Sequence, residues 1–319
     1  MTAAANSSAS TPTGDDFDEF AFLPEIAAEV GLDWDGGTQV TRVAVEVNPG
    51  QFVSAIRWGT QPPEVVFMHG GGQNAHVFDT VAMLLGRPAL SIDLPGQGHS
   101  TWRADKAYWP TTNAEAVAIV LDHFASVPAR PLVVVGMSLG GLTGIRLAAV
   151  RPDLVSHLVV VDVTPGVMRH AVTLTPEQRG VGALMLGPRE FDFEETLAIA
   201  VAASPSGNAA KLRRGLMFNA RPLDDGRWTW RYDELRFPDS PMIDHAHLWD
   251  DVPRIIAPTM LVRGSRSHHV DAQDAEQFRA LLPSLRVEMV EGASHSVQGS
   301  KPVELAALVR EFALDTSRS

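Results

Sequence analysis

Ser138 is the residue whose sequence surroundings most directly suggest chemistry. It is central in Gly136-Met137-Ser138-Leu139-Gly140, which follows the apolar run LVVV and precedes the helical pattern LTGIRLAAV. Where a strand turns sharply into a helix, a serine at the turn lies on a strained tip, and flanking glycines avoid clashes. Amides at the start of the helix favour negative charge that develops nearby. The pattern therefore predicts a nucleophilic serine.

A glycine-rich segment at the end of another apolar run offers backbone donors. This segment is HGGGQN, residues 69–74, directly after EVVFM. A flexible turn of this kind aims main-chain N–H groups at an oxyanion, and we expect the amide of Gly71 to act together with the amide of Leu139. A phosphate-binding loop is the alternative, but its signatures G-K-[ST] and G-x-G-x-x-G with a following acid are missing. We interpret His69 as a structural residue that braces the loop.

His295 is the expected general base. It lies in Gly292-Ala293-Ser294-His295-Ser296, immediately after the last apolar run, and its small neighbours leave the imidazole room to move. The chain has 11 histidines, so one histidine alone carries little weight. The order of an elbow serine followed by a late histidine after a strand suits proton transfer from Ser138.

These residues follow short apolar runs that alternate with helical patterns. Two β-branched runs separated by Asn48-Pro49-Gly50 predict a hairpin, and six compact apolar runs follow it. Buried continuous strands alternating with helices indicate an α/β fold with a mostly parallel sheet and helices on both faces. The eight predicted strands lie in residues 38–47, 51–58, 64–70, 89–93, 132–138, 158–162, 259–264 and 286–292.

The strand signal is interrupted between the sixth and seventh strands. We expect residues 164–251 to form an inserted, mainly helical cap, with helices around 175–186, 193–204 and 209–220. Residues 17–163 and 252–319 then form one core domain. Residues 1–16 are small and polar, without the apolar core of a signal peptide, and we expect a disordered tail. The apolar spacing from Asp18 to Trp34, interrupted by Pro24, predicts a short helix over the core.

With these motifs in this order, the chain resembles the α/β-hydrolase superfamily over roughly residues 38–315. The segments that carry the resemblance are HGGGQN (69–74), DLPGQGHS (93–100), GMSLGG (136–141), DVTPG (162–166) and GASHS (292–296). The resemblance implies a central eight-stranded sheet, a cap over the site, and a Ser/acid/His triad that acts without a cofactor.

The acid of the triad departs from the pattern that the resemblance implies. In most of the superfamily it follows the seventh strand, where this chain has Ser267 and His268 in the expected slots. Either Asp271 or Asp274 reaches back, or the acid follows the sixth strand, as in some branches of the superfamily, which indicates Asp162. A carboxylate at a strand end facing the histidine loop holds the imidazole tautomer. We favour Asp162, with Asp271 as the alternative acid.

The amino-acid composition of the chain excludes several classes of function. The 26 Lys and Arg against 38 Asp and Glu give a net charge of −12, which argues against nucleic acid and anionic membrane surfaces as partners. No apolar run reaches membrane-spanning length, and the absence of Cys excludes disulfides and thiolate chemistry. The pairs His245/His247 and His268/His269 lack the spacing of a metal site, so we expect no metal. A cytoplasmic location is the default, and a homodimer is compatible with the sequence.

The sequence therefore predicts a cofactor-free serine hydrolase that cleaves a carboxylic ester or lactone of a small apolar molecule. Aromatic residues, among them Trp102 and Trp230, are expected to line an apolar substrate pocket, although packing is their commoner role. Hydrolysis of a carbon–carbon bond in a β-diketone-like intermediate and perhydrolysis are alternatives on the same fold. A ligand-binding protein without turnover is an alternative from another class.

Overall fold

The computed structural model describes residues 17–124, 131–175, 178, 187–204, 208–233 and 245–315. The expected disordered tail, residues 1–16, lies outside this range. So does most of the first predicted cap helix, around 175–186.

The predicted eight-stranded sheet is confirmed. Its strands are β1 (Val40–Asn48), β2 (Gln51–Trp58), β3 (Val65–Met68), β4 (Ala89–Ile92), β5 (Leu132–Met137), β6 (Val155–Val161), β10 (Thr259–Gly264) and β11 (Arg286–Val290). They lie in the order β1-β2-β4-β3-β5-β6-β10-β11; the β1–β2 and β2–β4 pairs are antiparallel and every other neighbouring pair is parallel.

Helices cover both faces of this sheet, which explains why its central strands are continuously apolar. All residues of β3, β4 and β5 are buried. Within the described residues the α-helices are α1 (Leu23–Ala28), α2 (Asp79–Leu85), α3 (Pro110–Phe124), α4 (Leu139–Val150), α5 (Met168–Ala171), α6 (Phe193–Ala203), α7 (Ala209–Asn219), α8 (Ala272–Leu281), α9 (Val297–Ser300) and α10 (Pro302–Val309). One apolar core contains α3, α4 and α8, and the other contains α1, α2 and α10.

The segment between β6 and β10 contains the two predicted helices that are described and also a small sheet. Helices α6 and α7 match the predicted ranges within one residue, and Asp192 and Asn208 cap their first turns. Strands β7 (Glu190–Phe191), β8 (Ala220–Pro222) and β9 (Trp228–Trp230) form an antiparallel sheet in the order β7-β9-β8. Strands of two or three residues are too short to show an alternating pattern, so the sequence did not predict them.

The N-terminal segment forms a short 3₁₀ turn, Glu19–Phe22, followed by α1. Pro24 lies in the first turn of α1, where its missing N–H costs nothing, so it begins this helix and does not interrupt it. None of the described helices combines the length and apolar character that crossing a lipid bilayer requires.

Candidate active site

The serine elbow joins β5 to α4 through a strained backbone. Ser138 has φ 51° and ψ −117°, a conformation that costs energy for a non-glycine residue. A Cβ on Gly136 would lie 2.3 Å from the carbonyl oxygen of Gly140, and a Cβ on Gly140 would lie 2.1 Å from that of Met68. Neither position has room for a side chain, because a backbone carbonyl lies too close to each glycine, as the motif predicts.

Backbone hydrogen bonds hold the elbow against its neighbours. The Ser138 amide donates to the carbonyl of Val161 at 3.1 Å, and the Gly140 amide donates to the carbonyl of His69 at 3.0 Å. Within the described residues the amide between them, that of Leu139, has no hydrogen-bond partner. It is the first amide of α4, so the helix dipole adds to its attraction for an anion.

The glycine-rich loop after β3 lies directly against the elbow. A Cβ on Gly70 would lie 2.7 Å from Met137 Sδ and 3.2 Å from Ser138 Cβ. The Gly70 amide donates to Gln73 Oε1 at 3.0 Å, and the Gly72 amide donates to Gln97 Oε1. The amide of Gly71 has no partner in the described part of the chain.

His69 has the structural role expected from the sequence. Its side chain is buried and accepts a hydrogen bond at Nε2 from the Leu94 amide, at 3.0 Å. The proton must therefore be on Nδ1, which donates to the carbonyl of Gly70 at 2.7 Å. Burial lowers the pKa of His69, although Asp93 nearby favours the charged form. A neutral imidazole thus connects the loops after β3 and β4.

Asp162 and His295 meet at the carboxyl ends of β6 and β11, the two strands that flank β10. Asp162 directly follows β6 and is fully buried, and its φ of 53° is again unusual for a non-glycine residue. Its Oδ2 lies 2.8 Å from Nδ1 of His295, on the loop after β11. A carboxylate in this position keeps the proton on Nδ1 and leaves the lone pair on Nε2. In the described residues, neither His295 Nε2 nor Ser138 Oγ makes a hydrogen bond.

Ser267 completes the surroundings of Asp162, a contact that the sequence analysis did not predict. Its hydroxyl donates to Asp162 Oδ2, while the Gly264 amide donates to Oδ1 at 2.9 Å. Ser267 occupies the slot where the superfamily pattern places the acid. The sequence held one signal for this contact. A serine hydroxyl, which can donate a hydrogen bond, stands where the acid is expected, and this indicates that a carboxylate reaches the same point from the neighbouring strand.

Asp271, the alternative acid, is engaged elsewhere. Its carboxylate accepts the Asp274 amide at 2.8 Å and caps α8, and the Asp274 side chain accepts the Asp271 amide in return. Its carboxylate lies 3.8 Å from His170 Nε2 and 3.9 Å from the Arg169 guanidinium. Asp274 is buried and bonded to the same two side chains. Neither carboxylate has a hydrogen bond to His295 in the described residues.

A second histidine lies flat on His295. The ring centroids of His269 and His295 are 3.4 Å apart, and their planes differ by 11°. His268 and His269 are adjacent in the sequence, which does not indicate which of the two faces His295. The stacked ring limits rotation of the His295 imidazole about its side-chain bond.

Two groups of described side chains have the donor types of a metal site. In each, the ligand atoms lie within 4.8 Å of one another: Asp162, His269 and His295 in one, and His170, Asp271 and Asp274 in the other. In the first group Asp162 and His295 are bonded to each other. In the second, the Arg169 guanidinium bonds Asp274, which disfavours a cation. His245, His247 and His268 belong to neither group.

The two tryptophans expected at the substrate pocket have packing contacts. Trp230 is buried, donates to the Pro188 carbonyl at 3.1 Å and stacks on Tyr232. Trp102 donates to the Arg231 carbonyl at 3.2 Å and lies under the Arg189 guanidinium. Among the described ring contacts and hydrogen bonds, neither reaches Ser138 or His295.

Comparisons with known proteins agree with this architecture. A model of the alpha/beta hydrolase family matches residues 65–308. The esterase Rv0045c of Mycobacterium tuberculosis is 48% identical over 94% of this chain and 96% of its own length. A crystal structure of that esterase superposes with a TM-score of 0.79 at 44% identity, covering 93% of this chain and 98% of that one. The lipase LipV of the same organism is 29% identical over 78% of this chain and 92% of its own length. The chain therefore belongs to the alpha/beta hydrolase family.

Proposed function

We propose that this protein is a serine hydrolase that cleaves small carboxylic esters or lactones through an acyl-enzyme on Ser138. The observation that carries the proposal is the hydrogen bond between the buried Asp162 and His295 Nδ1, next to a strained serine elbow. A paired imidazole with its Nε2 available is the group needed to activate a serine hydroxyl.

The steps follow from the groups present. His295 Nε2 takes the proton of Ser138 as Oγ attacks the ester carbonyl, and Asp162 stabilises the resulting imidazolium. The carbonyl oxygen gains a negative charge, which is stabilised by hydrogen bonds that the amides of Gly71 and Leu139 donate to it. The imidazolium then protonates the leaving alcohol. Water, deprotonated by His295, cleaves the acyl-enzyme and restores the serine.

The comparisons support ester hydrolysis over the alternatives. The relative that is 48% identical is an esterase, and LipV is a lipase. Hydrolysis of a carbon–carbon bond and ligand binding without turnover have no comparable support.

The segment 164–251 supplies a cap in this proposal. Its described part contains α6, α7 and the small sheet, around an apolar cluster that includes Phe193, Trp228 and Trp230. It contacts the core through the Asn219–Asn74 hydrogen bond at 2.6 Å and through Lys211, whose Nζ donates to the Gly299 carbonyl at 2.8 Å. A cap that contacts the loop after β3 and helix α9 favours a small substrate with an apolar acyl or alcohol group.

The test is a burst-phase assay with p-nitrophenyl esters of increasing acyl length, comparing wild type with Ser138→Ala. We expect an initial burst of p-nitrophenol close to one equivalent of enzyme, which Ser138→Ala abolishes. The acyl length with the highest rate measures the size of the pocket. Unchanged turnover in Ser138→Ala, or no turnover of any ester by wild type, would overturn the proposal.

A further inference from the structure

The glycine-rich loop after β3, residues 69–74, is called the oxyanion loop below, and its backbone amides alternate between those with and those without a hydrogen-bond partner. Those of Gly70 and Gly72 donate to the side-chain oxygens of Gln73 and Gln97, while that of Gly71 has no partner among the described residues. A peptide chain with both neighbouring amides fixed has little freedom to rotate the amide between them. We propose that Gln97 is a positioning residue for ester hydrolysis: by holding the Gly72 amide, it aims the Gly71 amide at the oxyanion. This inference rests on the proposed function.

Gln97 is itself held rigidly in the loop after β4. Its side chain is fully buried, its amide donates to the Leu94 carbonyl at 3.0 Å, and its carbonyl accepts from the Ser100 amide at 3.0 Å. The next residue, Gly98, has φ 56°, and a Cβ there would lie 2.2 Å from Asp93 Oδ1. Only glycine permits the loop to pass so close to Asp93. The backbone therefore presents the Gln97 side chain in one place.

The orientation of the Gln97 amide group is set by its partner. The Gly72 N–H is a donor, so the oxygen of Gln97 and not the nitrogen must face it. In the described part of the chain, Nε2 of Gln97 is buried without a hydrogen-bond partner. Leaving a buried donor unsatisfied is unfavourable for folding. The hydrogen bond to the Gly72 amide is thus the contact that determines which way the Gln97 amide group faces.

The surrounding network anchors both loops to the core. The Asp93 carboxylate accepts the Ala75 amide at 2.7 Å and the Arg42 guanidinium at 2.6 Å. Glu19, from the N-terminal segment, accepts two hydrogen bonds from the same guanidinium, at 2.7 and 2.6 Å. The C-terminal end of the oxyanion loop is thus held through the Ala75 amide, independently of the Gln97 side chain. A change at Gln97 therefore displaces mainly the amides of residues 70–72.

The experiment compares three variants in the full-length enzyme. Gln97→Met is nearly isosteric but replaces the amide oxygen with a thioether group that accepts hydrogen bonds only weakly, whereas Gln97→Glu retains an acceptor oxygen. Asn113→Leu is the control, because Asn113 is also fully buried on α3 with both side-chain polar atoms unpartnered in the described residues. For each variant, kcat and KM for p-nitrophenyl butyrate are measured, together with Tm.

The affinity of each variant for a trifluoromethyl ketone is also measured. The carbonyl carbon of this ketone bonds to Ser138 Oγ, the serine proton moves to His295, and the ketone oxygen becomes an oxyanion.

We expect Gln97→Met to lower kcat and the ketone affinity by the same factor, about tenfold or more, with KM nearly unchanged. Gln97→Glu should restore most of both, and Asn113→Leu should change neither. If Gln97→Met does not fold, Gln97→Asn, which withdraws the amide by one methylene, replaces it under the same criteria. Unchanged kcat and ketone affinity in a folded Gln97→Met, or a loss confined to KM or shared equally by Gln97→Glu, would overturn the inference. Failure of the proposed function would show separately, as wild type without an ester burst or without ketone binding.

Discussion

Two aspartate–histidine pairs with the same hydrogen bond lie in different parts of the molecule. The distance from imidazole Nδ1 to carboxylate Oδ2 is 2.8 Å in Asp162–His295 and 2.7 Å in Asp79–His76. Both aspartates are buried. The pairing alone therefore does not distinguish a catalytic base from a structural histidine.

The second ring nitrogen separates the two pairs. His76 Nε2 binds Glu19 at 3.0 Å, its ring stacks on Phe218, and its side chain is 3% exposed. The His295 side chain is 25% exposed, and its Nε2 has no hydrogen-bond partner in the described residues. Although burial disfavours its charge, Asp79 and Glu19 raise the pKa of His76 to about 9, so it stays protonated at neutral pH. A base needs a free, accessible lone pair, which only His295 offers.

The largest difference between the pairs is expected from Asp162→Asn. Asparagine tolerates the positive φ of this position, but it cannot hold the His295 tautomer or stabilise the imidazolium. We expect kcat/KM for p-nitrophenyl butyrate to fall by about 10²- to 10⁴-fold, since comparable changes in serine triads have this effect. Asp79→Asn is the matched control. An equal loss in both variants would remove the distinction between the pairs.

A smaller loss is expected from Ser267→Ala. The change removes one hydrogen bond to the Asp162 carboxylate and leaves the Gly264 amide and His295 as its partners. Bonds to charged groups contribute about 1.5–3 kcal/mol, so we expect kcat to fall about tenfold with little change in KM. Steady-state kinetics decide this, and full activity in Ser267→Ala would show that the hydroxyl does not support the acid.

The structural pair should instead affect stability as a function of pH. The folded-state pKa of His76, about 9, lies above the ordinary value of 6.5. Its contribution is therefore complete below pH 6.5 and is lost as the pH rises through 9; the total is at most about 3 kcal/mol. Urea unfolding of wild type should show decreasing stability between pH 6.5 and 9. His76→Gln should lack this component, and an identical pH dependence in the variant would contradict the assignment.

The smallest effect on activity is expected from Asp271→Ala. Asp271 caps α8, so its loss should lower the free energy of unfolding by about 1 kcal/mol. Activity should stay within about twofold of wild type, because the residue has no described contact with His295. Urea unfolding and initial rates on the same preparation measure both quantities. A loss of activity larger than the loss of stability explains would make Asp271 the acid after all.

The sequence predicted the features that depend on local patterns. Two β-branched runs and six compact apolar runs located the eight strands of the main sheet, and the elbow motif located Ser138 on its strained turn. Contacts between strand ends were harder to predict. Ser267, His269 and Gln97 each meet a residue far away in the sequence, and no local spacing indicates such a meeting. Strands β7, β8 and β9 were missed because their length is below that of a recognisable pattern.

The most direct test is the rate at which a fluorophosphonate probe labels the protein, with the modified residue located by peptide mass spectrometry. The probe reacts with a serine only when a base activates it. We predict labelling of wild type at Ser138, a rate reduced by about 100-fold or more in Asp162→Asn, and a rate close to wild type in Asp79→Asn. Labelling at another residue, or equal rates in wild type and Asp162→Asn, would contradict the triad of Ser138, His295 and Asp162.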